Sequence, residues 1–252
     1  MSAPRPHHAR FRFYEELNDF LPPGRRKQET TCAFSGHPSV KDLIEGQGVP
    51  HAEVDLILIN GRSVGFDHPV HGGDRVAVYP VFESLDITPL IRLRPRPLRN
   101  SRFVLDVHLG KLARYLRLLG FDANYGNDRS DPEIIQAAER EDRIILTRDR
   151  SLLKSGRVTR GYWIRETQPE RQIGEVLRRF DLFSQANPFS RCTACNGLLE
   201  AALKDAISDR LEPRTAKYFD TFFRCTGCGR IYWKGSHFDA LEGRVAKWLG
   251  RG

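Results

Sequence analysis

Apolar and polar residues alternate near the start of the chain. Phe11 and Phe13 sit two apart in a strand pattern, and residues 30–34 give a second strand. Ser39 stands where it would cap a helix carried by Val40, Leu43 and Ile44. Residues 54–59 are an apolar strand running into Asn60-Gly61, a pair suited to the positive φ angles of a tight hairpin. Residues 74–79 close the set.

Beyond residue 100 the pattern changes. Residues 103–107 are an apolar strand, after which Leu109, Leu112, Ala113, Leu116 and Leu119 recur at helical spacing and Gly120 ends the helix. Residues 121–125 read as a strand, and Asp131-Pro132 opens a helix through Ile134, Ile135 and Ala138. Residues 143–147 and 161–164 read as further strands, with a helix over 173–180. Strands alternating with helices predict a parallel α/β sheet. Leu241, Val245 and Leu249 mark an amphipathic helix that docks back on the protein.

Between the two patterns, over residues 86–100, Pro89, Pro95 and Pro97 are interleaved with Arg92, Arg94, Arg96 and Arg99. Closely spaced prolines cannot feed a central strand, so this stretch is expected to be a linker that can also touch phosphate.

With 40 Lys and Arg against 32 Asp and Glu, the formal charge is +8. No amphipathic membrane helix accompanies it, so a polyanion such as nucleic acid fits better than a lipid surface. Charge spread over a solvated face would bind nothing, and clustering at Lys111, Arg114 and Arg117 favours the former. The first ten residues carry no apolar stretch and no segment is long enough to span a membrane, so a cytoplasmic location is expected.

Two Cys-x-x-Cys pairs, Cys192/Cys195 and Cys225/Cys228, have the spacing of a four-thiolate zinc site. Glycine trails both, as Asn196-Gly197 and Gly229, and is expected to let the backbone turn beneath the metal. Disulfides would need an oxidising compartment, and a redox motif gives no reason for a second copy. Cys32 is expected to be a buried thiol.

Asp106 ends an apolar strand and Asp149 follows another by two residues. In a parallel sheet the C-terminal strand ends share one edge, so these side chains and Asp131 can converge on a divalent cation. Oxygen ligands without a histidine pair suit Mg²⁺ or Mn²⁺, and such an ion serves phosphodiester hydrolysis. A second reading stays open for two of them. Asp131 before Pro132 has the form of an N-cap before an N1 proline, and Asp149 can cap a turn in the same way.

The order of elements in the first unit resembles the β-grasp fold of ubiquitin-like sulfur carriers, through Ile59-Asn60-Gly61-Arg62 and Gly73-Asp74-Arg75-Val76-Ala77-Val78-Tyr79-Pro80. Carrier chemistry needs a terminal Gly-Gly, whereas here the chain continues through Phe82-Glu83-Ser84-Leu85. The unit is therefore expected to bind a protein partner, to regulate, or simply to support.

Residues 104–122 (Val104-Leu105-Asp106-Val107-His108-Leu109-Gly110-Lys111 onward), 130–135 and 143–150 resemble the mut-seven C-terminal RNase family. That resemblance implies an α/β PIN-like nuclease over 101–185, a zinc ribbon and C-terminal helix over 186–252, and a ubiquitin-like domain in front over 1–85. It implies a metal-dependent ribonuclease whose acids are Asp106, Asp131 and Asp149, with Asp128 or Glu133 as a fourth, and an endonucleolytic cut is expected.

Lys111, Arg114 and Arg117, placed by helical spacing away from the leucines, are expected to hold the RNA backbone together with Arg148, and a solvated helix face is the alternative. Phe222, Phe223, Tyr232 and Trp233 stand among Arg224, Arg230 and Lys234, where rings either stack bases or fill a small core. The competing function is an RNA-binding adaptor without hydrolysis. An aspartate-nucleophile phosphatase would want an acid two residues after Asp106, and His108 stands there.

Overall fold

Strand β1, His7–Phe13, turns Ala9, Phe11 and Phe13 inward and leaves His8, Arg10 and Arg12 exposed, the period-two burial that its residues prescribe. The computed structural model describes residues 6–80, 93 and 101–250. Apart from Leu93, the expected linker with Arg92, Arg94, Arg96 and Arg99 lies outside the described residues.

β1 is followed by β2 (Thr30–Phe34), α1 (Val40–Gly46), β3 (Val54–Ile59), β4 (Arg62–Ser63) and β5 (Arg75–Pro80). The sheet order is β2-β1-β5-β3-β4, with β1 and β5 parallel at its centre. Ser39 caps α1 in a reciprocal box with Asp42. The hairpin turn has φ of 51° at Asn60 and 81° at Gly61, as that pair predicted. Phe11, Phe13, Leu17, Val40, Ile44, Ile57 and Val78 form the core, which makes this a β-grasp arrangement. Cys32 is only partly buried.

The parallel sheet starts with β6 (Arg102–Leu105), α2 (Gly110–Leu118), β7 (Asp122–Asn124), α3 (Asp131–Glu141) and β8 (Ile144–Thr147). Strands run β7-β6-β8, both pairs parallel, and β6 and β8 bury every residue but Arg102, as a sheet covered on both faces requires. α2 ends where Gly120 takes φ of 92°. At α3 the expectation is corrected: Ser130, not Asp131, is the N-cap, because Glu133 reaches back to Ser130 in a capping box.

Next come β9 (Gly161–Trp163) and α4 (Pro169–Arg179), then β10 (Leu199–Ala202), α5 (Pro213–Tyr218), β11 (Phe222–Cys225), β12 (Ile231–Trp233) and α6 (Phe238–Trp248). β10-β11-β12 is an antiparallel sheet carrying the second cysteine pair. α6 buries Val245 and sets Trp248 against Tyr115 at 4.6 Å, while Leu241 is left 36% exposed.

The chain divides into two compact units along lines that periodicity did not indicate. One comprises Met1–Arg99 with Asp149–Trp163, and the other Asn100–Arg148 with Ile164–Gly252. β9 thus falls in the first unit, while the cysteine-bearing sheet clusters with the parallel one.

Candidate functional site

Asp106 follows the last residue of β6 and is 4% exposed. A carboxylate that dry is stable only when its oxygens are hydrogen-bonded. One oxygen accepts the His108 backbone N–H at 2.8 Å, so Asp106 caps the turn Val107–Leu109. The other accepts the Arg148 backbone N–H at 2.7 Å and the buried Thr147 hydroxyl. The ends of β6 and β8 are thereby tied through one side chain, and the Asp106 rotamer is held from two sides.

The remaining acids are exposed. Asp128, Asp131 and Glu133 lie on the surface before and within the first turn of α3. Glu133 accepts from the Ser130 N–H at 2.8 Å and hydroxyl at 2.7 Å, and those bonds hold its carboxyl below the usual range. Asp149, in the segment belonging to the first unit, accepts from the Ser151 N–H at 2.7 Å and hydroxyl at 2.8 Å. Among the described residues, the group of His, Cys, Asp or Glu side chains whose donor atoms converge as a metal site requires is the four cysteines, all within 4.8 Å of one another.

The basic residues divide sharply. Lys111 and Arg114 are exposed on α2. Arg117 is not. It is 4% exposed and donates to the carbonyls of Ala123 at 2.8 Å, Thr193 at 3.2 Å and Ala194 at 2.9 Å. Its expected role in RNA binding is therefore corrected, because its donors are turned inward onto backbone acceptors. Arg148 is likewise occupied, since one guanidinium nitrogen donates to the carbonyls of Ile164 and Arg165 at 3.2 Å and Glu166 at 2.6 Å.

The cysteines bring their sulfurs together, 3.7 Å between Cys192 and Cys228 and 3.3 Å between Cys195 and Cys225. Tetrahedral zinc with bonds of about 2.3 Å needs sulfurs about 3.8 Å apart, so the donor set fits that ion. Backbone N–H groups of Cys195, Gly197, Gly227 and Cys228 point at the sulfurs. Burial raises the Cys192 thiol, but the Tyr232 hydroxyl and the Cys195 and Ala194 N–H groups bring it down to about 6. Burial and the neighbouring thiols push Cys195 up to about 12, a crowding that a bound cation relieves.

The turn beneath the first cysteine pair departs from expectation in one respect. Asn196, with φ of 74°, takes the left-handed position after Cys195, as Gly229 does after Cys228. Gly197 is needed for proximity, because a Cβ there would lie 2.8 Å from the Cys225 sulfur.

Asn196 also couples this knuckle to the sheet. Its side-chain oxygen accepts the Ala123 N–H at 3.0 Å and its amide donates to Asp122 at 2.7 Å. Arg191 reaches the Gly120 carbonyl at 3.1 Å, and Arg143 pairs with Asp122 at 2.6 Å and Glu141 at 2.6 Å. Asp122, Arg143 and Asn196 carried no chemical motif, and the one available signal was asparagine placed directly after a cysteine pair. Of the ribbon aromatics, Phe222 is core, Phe223 is half-buried and Tyr232 bonds Cys192, while Trp233 is 39% exposed.

Compared with known proteins, residues 101–245 match the Mut7-C RNAse domain family. The chain belongs to that family. In front of its Mut7-C RNase domain, residues 7–86 match the Mut7-C ubiquitin family, in agreement with the β-grasp sheet. A human protein, "Exonuclease mut-7 homolog", is 37% identical over 106 residues, covering 40% of this chain and 12% of that protein. The Mut7-C chain thus spans only a small part of that relative's length. The crystal structure of H. volcanii small archaeal modifier protein 1 aligns at 18% identity with a TM-score of 0.24, covering 30% of this chain and 99% of that one.

Proposed function

We propose that the protein is a metal-dependent ribonuclease that cuts RNA phosphodiesters endonucleolytically, with Asp106, Asp131 and Asp149 as ligands for Mg²⁺ or Mn²⁺ and Asp128 or Glu133 as a further acid. The observation that carries this reading is Asp106, a buried carboxylate at the C-terminal end of the central strand β6, in a chain of the Mut7-C RNase family. Open parallel sheets place their chemistry at that edge.

Carboxylate oxygens are hard donors and match those ions. When bound, such an ion lowers the pKa of a water and offsets charge on the phosphate. The chain's own residues supply the rest. Thr147, His108 and Arg148 keep Asp106 in one rotamer, so little ordering is left for the moment of binding. Lys111 and Arg114 hold the RNA backbone without reading its sequence. Zinc in the cysteine quartet is structural, because four thiolates leave no open position for water.

A second reading, an RNA-binding adaptor that hydrolyses nothing, is favoured by the carboxylates being engaged: Asp149 by Ser151, Glu133 by Ser130, and both oxygens of Asp106 by backbone and hydroxyl donors. Purified protein with single-stranded and structured RNA, in Mg²⁺, Mn²⁺ or chelator, separates the two. Cleavage that needs the ion and disappears in Asp106→Asn supports the nuclease, and binding without cleavage by the wild type supports the adaptor.

RNA is the proposed partner, with a protein partner for the β-grasp unit and the cytoplasm as location. No helix among the described residues is long and apolar enough to cross a membrane.

A further inference from the structure

Large apolar side chains left exposed among the described residues, Leu198, Leu203, Tyr218, Trp233 and Leu241, lie in the cysteine-bearing part of the chain. A singly exposed apolar residue needs no explanation. Trp233 is set apart by how it is held.

Trp233 ends β12, the edge strand of the β10-β11-β12 sheet. The register pairs it with Phe222 and puts Ala202 in the same row, and the neighbouring row on that face is Glu200, Arg224 and Ile231. Phe222 is buried, and its ring centroid lies 6.5 Å from that of Trp233, so the indole meets the core on one side. On another side the chain turns back at Gly235, whose N–H donates to the Trp233 carbonyl at 3.1 Å. A Cβ at Gly235 would stand 2.9 Å from the indole Nε1 and 3.3 Å from Cδ1. Gly235 is not among the residues of positive φ, so what glycine provides there is room for the ring. The pyrrole side of the indole is thereby seated against bare backbone while 39% of the residue stays exposed.

The charge around this ring has one sign in excess. Residues 221–238 include Arg224, Arg230 and Lys234 and no Asp or Glu, and all three cations are exposed. Arg224 is the diagonal neighbour of Trp233 on the shared sheet face, a separation that long side chains span. The Lys234 ammonium lies 4.8 Å from the Phe238 ring centroid, and one acid, Glu200, stands across the strands from Arg224. Tyr232, which bonds Cys192, alternates to the opposite face, so the thiolate cluster lies on the far side of β12 from Trp233. An aromatic ring fixed in place loses little freedom on stacking, and nearby cations meet the phosphates that accompany every base.

We infer that Trp233, seated on Gly235 with Arg224 and Lys234 beside it, is a stacking site for an unpaired base of RNA, the cations holding the adjoining phosphates. Bases inside a duplex are already stacked on both faces, so the site selects single-stranded segments. The inference rests on RNA as the proposed partner, which the nuclease and adaptor readings share, and it places a contact to the substrate well away from the carboxylates in sequence.

The test measures binding of the full, zinc-loaded chain, without Mg²⁺ or Mn²⁺, to a single-stranded RNA, its abasic counterpart and a blunt duplex of the same length. The wild type prefers the single strand to the abasic strand by about tenfold. Trp233→Ala removes that preference and leaves abasic and duplex affinity and zinc content unchanged. Trp233→Phe, which keeps an aromatic face, recovers most of it. Gly235→Ala, which drives a methyl group against the indole, reduces it severalfold with Trp233 still present. Arg224→Ala instead weakens binding to both single strands alike and lowers the salt slope by about 0.7. On the wild type, photocrosslinks from 4-thiouridine RNA fall within 222–235, and this carries the test should a variant not fold. Crosslinks elsewhere, or a Trp233→Ala chain that keeps the preference, overturn the inference. A wild type that binds RNA without distinguishing the abasic strand also overturns it and assigns the exposed ring to a protein surface. A wild type that binds no RNA overturns the inference together with the RNA partner. Cleavage enters none of these readouts, so failure of the nuclease reading is seen separately, as RNA bound and not cut in Mg²⁺ or Mn²⁺.

Discussion

The Asp106 carboxylate and the Arg148 backbone N–H meet at 2.7 Å, across the ends of the adjacent parallel strands β6 and β8. The same carboxylate accepts from His108 and Thr147, so one buried anion organises three segments. Asp106 is in this way structural as well as a candidate ligand, and the two roles separate in variants.

Asp106→Ala leaves buried donors unpaired and should destabilise the protein by about 3 kcal/mol, read from urea denaturation. Asp106→Asn keeps one acceptor oxygen and should lose about 1–2 kcal/mol, yet cleavage should fall at least a hundredfold. An Asp106→Asn protein that cuts RNA at the wild-type rate removes this residue from the chemistry.

Arg117 and its helix neighbours should behave oppositely. Lys111→Ala and Arg114→Ala should each weaken RNA binding and lower the salt slope by about 0.7–0.9, with melting temperature unchanged. Arg117→Ala should lose about 2–3 kcal/mol of stability and hold zinc less well, because carbonyls of Ala123, Thr193 and Ala194 lose their donor. Binding isotherms at several salt concentrations, beside thermal melts, decide the assignment.

Removing zinc should act beyond the ribbon. The Asn196 side chain joins the first knuckle to β7, so chelation should raise hydrogen exchange at Ala123 as well as around the cysteines. Asn196→Ala should cost about 1–2 kcal/mol with zinc still bound. Exchange confined to the cysteine loops after chelation would count against this coupling.

Acid should loosen the same edge. Burial raises the Asp122 carboxyl, but hydrogen bonds from Arg143 and Asn196 outweigh it and hold it below the usual range. A depressed carboxyl contributes stability above its unfolded pKa of about 3.9, and loses it as pH falls through the folded value. Asp122→Asn should therefore be less stable than wild type at neutral pH, with the difference shrinking below about pH 4 in urea midpoints measured across pH.

Much of the fold could be read along the chain because its signals are local. Alternation in β1, leucine spacing in α2, the Asn60-Gly61 turn and the paired cysteines each need only neighbouring residues to be meaningful. Local signals leave the cap of α3 ambiguous by one residue, because Ser130 and Asp131 are both good caps and only Glu133 reaching back to Ser130 distinguishes them. Arg117 departs from its local pattern for a related reason. Helical spacing placed it beyond the leucine stripe, but the knuckle at Thr193 and Ala194 covers that part of the helix.

The amino-acid order by itself determined the element types, the β-grasp and parallel-sheet patterns and the four-thiolate cluster, since each follows from φ/ψ preference and periodic burial over a few residues. Tertiary structure alone decided that Asp106 is tied to Arg148, that Arg117 faces carbonyls, and that Asp149–Trp163 belongs with the β-grasp unit. Those outcomes depend on donors and acceptors tens of residues apart, whose pairing is chosen by the requirement that every buried polar group find a partner. No local pattern encodes that choice.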